Sequence, residues 1–202
     1  NHAEGAGTNF CAEGYTAKSQ NGEFVVVTVT YVSKNKELAD AITTSGIIQL
    51  TDDIEILQTI DITAGVDVTL DLNGQSILID TETLKPNSNG SKYAFIIREG
   101  GSLIIDGEGT VKANTPGPIM FYPAGDLVIE SGSFIRHVPE GYTGNVGSMF
   151  VGTKPAGGWG SAGVTINGGY FDGGYYVDDA EHVDALLAGT MILEETEADI
   201  KK

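Results

Sequence analysis

Repetition is the feature that most constrains this chain, because a motif that recurs must do the same structural job each time. Residues 94–112 lie over residues 118–136 without a gap, nineteen positions at a constant shift of 24. In that alignment Ile97 meets Phe121, Gly101 meets Gly125, Leu103 meets Leu127, Ile105 meets Ile129, Asp106 meets Glu130 and Val111 meets Ile135. An earlier copy fits at a shift of 35, with Ile60, Ile62, Val68, Leu70 and Asp71 on Phe95, Ile97, Leu103, Ile105 and Asp106. A later one, Val164-Thr165-Ile166-Asn167-Gly168-Gly169-Tyr170-Phe171, sets Asn167 opposite Glu130, giving four copies.

Each copy reads as three short β-rich runs separated by small-residue turns: residues 95–98, Gly100-Gly101, residues 102–106, residues 107–109 and residues 110–112 in the best case. The runs are too short for helices. Three strands and three turns make one complete coil, whose strands pair with those of the next coil about 4.8 Å away. This predicts an all-β parallel solenoid with loops added at residues 81–91 and 139–162. An antiparallel sandwich is the alternative, but it needs hairpin turns between neighbouring strands, whereas here Gly pairs hold a constant register.

Alternation assigns Val68, Leu70, Leu103, Ile105, Leu127, Ile129, Val164 and Ile166 to the interior and Thr69, Ile104, Val128 and Thr165 to the outside. A solenoid exposes its ends, so covers are expected. In residues 33–42, Leu38, Ala41 and Ile42 share a helical face, with Ser33 or Asn35 as cap. In residues 178–187, Val183, Leu186 and Leu187 do the same, followed by a strand near 191–193 and a frayed tail. The expected division is 1–31 as linker and closing strand of a preceding unit, 32–177 as the repeat body with its front helix, and 178–202 as rear helix and tail.

At 202 residues the chain can bury a sizeable core. Its 28 Asp+Glu against 11 Lys+Arg give a net charge of −17, which speaks against nucleic acid and against an anionic membrane surface. No apolar run approaches the roughly 20 residues that span a bilayer, so direct membrane insertion is not expected. The single Cys11 allows no internal disulfide, and with His2, His137 and His182 scattered no Cys/His zinc site can be assembled. The missing initiator Met and leader point to a mature or excised piece of a longer product.

The segments Glu37-Leu38-Ala39-Asp40-Ala41-Ile42, Gly46-Ile47-Ile48-Gln49-Leu50-Thr51-Asp52-Asp53-Ile54, Val68-Thr69-Leu70-Asp71-Leu72-Asn73-Gly74 and the Val164 copy resemble right-handed, single-stranded parallel β-helix domains. They look like the pectate-lyase-like repeat units of large surface or secreted bacterial proteins and of some phage structural proteins. The resemblance covers residues 32–174. Phe10-Cys11-Ala12-Glu13-Gly14-Tyr15-Thr16-Ala17 is similar to the segment that closes one such unit and leads into the next. The resemblance implies about four coils with short helical caps at both ends, an extracellular, cell-surface or virion-surface location, and either polysaccharide cleavage or non-catalytic display and adhesion. Fold alone does not choose between those two uses.

Three sets of residues bear on that choice. Asp71, Asp106, Glu130 and Asn167 occupy one position on successive coils; stacked carboxylates repel, so either they end their strands by bonding the next turn, or Ca²⁺ compensates Asp71, Asp106 and Glu130. No other cofactor is expected. Asp52-Asp53 reads as a turn in the same way. A lyase needs an Arg or Lys base beside the carboxylates, yet the alignment puts Arg98 opposite Tyr122 and Arg136 opposite Lys112, off the acidic row. Inverting hydrolysis needs carboxyls roughly 6.5–9.5 Å apart, a spacing that Asp71 and Glu130 on alternate coils would meet by coincidence in any acidic solenoid. His137 and His182 read as surface residues. Aromatic residues gather in or beside the longest insertion, where Tyr142, Trp159, Tyr170 and Tyr175 with Lys154 form the candidate ligand-binding set, while Phe150 and Phe171 read as core.

The expected function is therefore a non-catalytic display or adhesion module that presents residues 141–162 to a glycan or surface protein. A homo-oligomer or a neighbouring repeat of a longer chain is a further expected partner. The alternative is a lyase or hydrolase acting on acidic glycans.

Overall fold

A computed structural model describes residues 14–20, 23–80, 82–86, 90, 92–115, 119–137, 139–140 and 163–172. The strands are β1 (Tyr15–Gln20), β2 (Glu23–Val32), β3 (Gly46–Leu50), β4 (Ile54–Ile56), β5 (Ile60–Ile62), β6 (Asp67–Asp71), β7 (Ser76–Ile79) and β8 (Tyr93–Ile97). They continue with β9 (Ser102–Asp106), β10 (Thr110–Ala113), β11 (Ile119–Pro123), β12 (Asp126–Ile129), β13 (Ser133–Arg136), β14 (Gly163–Ile166) and β15 (Tyr170–Asp172). Helix α1 (Asn35–Ala41) sits between β2 and β3.

The strands form three sheets, ordered β1-β2-β3-β6-β9-β12-β14, β15-β13-β10-β7-β4 and β11-β8-β5. From β3 the chain visits the first, second and third sheets in rotation through β13, and then returns to the first with β14 and to the second with β15. Among the described residues every pair is parallel except the β1–β2 hairpin. The protein is thus all-β and predominantly parallel, which removes the antiparallel sandwich.

Alternation places the core between the sheets. On the first sheet Ile48, Leu70, Ile105, Ile129 and Ile166 pair in succession and are all buried. Val68, Leu103 and Leu127 form the parallel row, and Val164 packs half-buried at its end. The outward residues Thr69, Ile104 and Val128 are half-buried and Thr165 is exposed. Ile54, Ile77, Val111, Phe134 and Phe171 line the second sheet, and Ile60, Phe95 and Phe121 the third. Phe95 stacks on Phe121 at 5.2 Å and Phe134 on Phe171 at 5.0 Å, so Phe171 belongs to the core as expected. Each such side chain contributes about 1.5–3 kcal/mol by leaving water.

The shift of 35 holds at every position, from Ile60–Phe95 to Asp71–Asp106. The uniform shift of 24 holds only on the first sheet. Ile97 pairs with Pro123 rather than Phe121, Val111 with Phe134 rather than Ile135, Tyr122 with Ile96 rather than Arg98, and Arg136 with Ala113 rather than Lys112.

Helix α1 buries Leu38 and Ile42 and packs against β2 and β4, covering the front of the core. Neither Ser33 nor Asn35 caps it. The N-cap is Lys34, which makes no side-chain capping bond, and Glu37 instead reaches back to accept from the Ser33 backbone N–H at 2.8 Å and hydroxyl at 3.1 Å. The boundary expected at residues 31/32 falls inside β2, which pairs with β3 through Val29–Val32. The inserted loop at 81–91 sends Leu84 into the core. The rear helix expected at 178–187 and the strand near 191–193 lie outside the described residues.

Candidate functional site

On the outer face of the first sheet, Tyr31 pairs with Gln49, Gln49 with Asp71 and Asp71 with Asp106. Glu130 and Asn167 follow the paired Ile129 and Ile166, so one polar row crosses the sheet. From Asp71 onward the row comes from strand ends: Asp71 and Asp106 close β6 and β9, Glu130 and Asn167 follow β12 and β14, and the carboxylates bond there. Asp71 Oδ1 accepts from the Asn73 N–H at 2.9 Å, and its Oδ2 accepts from Gln49 Nε2 at 2.6 Å. Asp106 Oδ1 accepts from the Gly107 N–H at 2.8 Å and from the Ser131 hydroxyl at 3.0 Å. Glu130 Oε1 accepts from Asn167 Nδ2 at 3.0 Å. Amides and a hydroxyl thus interleave the acids and offset their repulsion. Asp53 likewise accepts from the Ser76 N–H at 2.6 Å, and Asp52 from the Asp53 N–H, as turn residues do.

Among the described residues no three His, Cys, Asp or Glu side chains converge on a point that could hold a metal ion. Asp71 and Asp106 each accept from a turn N–H and a polar side chain, and Glu130 accepts from Asn167.

The arginines point elsewhere. Arg98 makes a two-pronged pair with Asp61, Nε to Oδ1 at 2.8 Å and Nη2 to Oδ2 at 2.6 Å, beside the third sheet. The Asp61 hydrogen bonds hold its guanidinium above the usual pKa. Arg136 faces inward from β13 at 2% exposure, with Nη1 donating to the Thr115 carbonyl at 3.4 Å. Burial pushes its pKa down to about 10. Sequence reasoning missed this buried charge although the alternation of Ser133-Phe134-Ile135-Arg136 carries the signal. The alignment at a shift of 24 set Ile135 rather than Phe134 on the buried Val111, a slip of one residue. His137 is exposed, as expected.

Of the aromatic candidates, Tyr170 opens β15, is 37% exposed and pairs with Ser133, its N–H donating to the Gly132 carbonyl at 2.9 Å. Tyr142, Lys154, Trp159 and Tyr175 lie outside the described residues, as do Phe150 and His182. A feature the sequence did not reveal lies at the other end of the polar row, where β1, β2, β3, β6 and β9 of the first sheet line a groove of about 410 Å³. Tyr15, Tyr31, Gln49, Asp71 and Asp106 are among its lining residues. A second hollow of about 530 Å³, over the second sheet, is lined by Glu55, Leu78, Lys112 and Ile135 among others and has no aromatic wall.

Comparison of the chain with protein-family models, curated proteins and solved structures found no match. Among the described residues no helix is long and apolar enough to cross a membrane.

Proposed function

We propose that the three sheets are the faces of a right-handed, single-stranded parallel β-helix of about four coils, of the pectate-lyase-like kind. Its role is then that of a non-catalytic display or adhesion module of an exported bacterial or phage surface protein. The observation that carries this reading is the rotation of the chain through three parallel sheets with apolar rows in register. Right-handed winding follows from the strong preference of parallel crossovers for that hand. Residues 137–162 connect β13 to β14 and provide the long segment such a rod would present. A glycan or surface protein is the partner, with Tyr142, Lys154, Trp159, Tyr170 and Tyr175 as contacts, and a neighbouring repeat or second copy is the partner for the ends.

The enzyme reading has less support. Elimination from an acidic glycan calls for a base beside the acidic row, and both arginines are engaged away from it. The test is a glycan array read together with an absorbance assay for unsaturated uronate. Binding that disappears in Trp159→Ala without turnover supports display, whereas turnover of polyuronate with Ca²⁺ overturns it.

A further inference from the structure

We infer that the groove lined by β1, β2, β3, β6 and β9 at the hairpin end of the first sheet is a binding site for a neutral saccharide. This goes beyond the display reading, since it requires neither residues 141–162 nor export.

The groove's volume of about 410 Å³ falls in the range of small-ligand sites. Its floor is an in-register row, Tyr31, Gln49, Asp71 and Asp106, four strands wide. At about 4.8 Å per strand, Tyr31 and Asp106 stand roughly 14 Å apart, the reach of a short oligosaccharide. Tyr31 is 49% exposed and stands at one end of the row, and Tyr15 and Thr16 of β1 also line the groove. Aromatic faces stack on the C–H faces of sugar rings while the phenol remains available to hydroxyls.

The polar groups select the ligand's chemistry. Gln49 spends Nε2 on Asp71, which leaves Oε1 as an acceptor, and Asp106 uses only Oδ1 among the described residues, which leaves Oδ2. The row is thus rich in acceptors, and a ligand rich in hydroxyl donors complements it. Among the described residues no Lys or Arg lines the groove, while two carboxylates do, in a chain of net charge −17. Uronates and other acidic glycans are therefore repelled, and the site is the reverse of one built for polyuronate.

The experiment uses the full chain on an array of neutral gluco-, manno- and galacto-oligosaccharides and N-acetylglucosamine oligomers, with oligogalacturonates and chitosan oligomers as charged arms. Calorimetry on the strongest neutral probe then gives Kd. Tyr31→Ala is expected to weaken binding about tenfold or more, Asp106→Asn several-fold, and Trp159→Ala less than about twofold. Asp106→Asn retains Oδ1 and hence the Gly107 and Ser131 bonds, so it reads the site even where Tyr31→Ala melts early. Three results would overturn the inference: no neutral probe bound, tighter binding to an acidic or cationic arm, or wild-type Kd in both groove variants. Loss of binding in Trp159→Ala alone would instead place recognition in the 141–162 loop.

Discussion

Glycine at two aligned positions is required by the distance between successive turns of chain. A Cβ on Gly101 would lie 2.7 Å from the Thr63 carbonyl oxygen, and one on Gly125 would collide with the Arg98 and Gly101 carbonyl oxygens. These are backbone atoms, which cannot rotate away. Gly125→Ala should therefore cost about 2–4 kcal/mol, read as a lower urea midpoint with an unchanged slope; a wild-type midpoint would mean that the backbone yields. Tyr122 tests another residue-level effect. Burial, with Tyr93 adding and Arg98 opposing, pushes its phenol up to about 12. Because the folded value lies above the unfolded one, near 10, the native state holds its proton longer. Stability from this group is complete below pH 10 and drains away as pH rises toward 12. Tyr122→Phe should flatten that alkaline loss by about 1–2 kcal/mol, measured as the difference between the two proteins' denaturant midpoints at pH 9 and pH 11.5. Equal slopes for both proteins would show that the ring is wetter than its 8% exposure implies.

Among the elements, α1 separates packing from propensity. A helix of seven residues is too short to persist alone, and no side chain caps its first turn, so it exists because Leu38 and Ile42 complete the front of the core. Leu38→Ala should cost about 2–4 kcal/mol and raise hydrogen exchange in α1 and the adjoining β2, while β12 and β13 stay protected. Uniform loss of protection would show that the repeats fold as one unit. The strands explain both what the sequence made legible and what it concealed. Inward rows on the first sheet were readable because its register offset between adjacent repeats, Ser102 to Asp126, equals the alignment shift of 24. The second sheet is offset by 23, Thr110 to Ser133, and the third by 26, Tyr93 to Ile119. Turns vary in length independently, so a gapless alignment slips by one on the second sheet, exchanging its faces, and by two on the third, preserving them. That is why the alignment set Arg136 on Lys112 and Phe121 on Ile97, whereas they pair with Ala113 and Phe95.

For the molecule as a whole, the acidic row was readable because it rides on the best-aligned sheet, but the groove at its end was not. The groove depends on the antiparallel β1–β2 hairpin that extends the first sheet, and β1 and β2 lie outside the repeated copies. Recognition then has two candidate places, the groove at the hairpin end and the long connection between β13 and β14, and they make different demands on the fold. If residues 141–162 are presented rather than packed, the core does not need them. The Ile129–Ile166 and Phe134–Phe171 contacts that fasten β14 and β15 lie outside that segment. Replacing 141–162 by a short Gly-Ser linker should then shift Tm by no more than a few degrees, since closing a shorter loop changes chain entropy by under about 1 kcal/mol. The same variant should retain any neutral-saccharide binding in the groove and lose any that depends on Trp159. A fall in Tm as large as that caused by truncating the chain before β14 would mean that the connection is structural, and the display reading would fail while the groove could still be tested on its own.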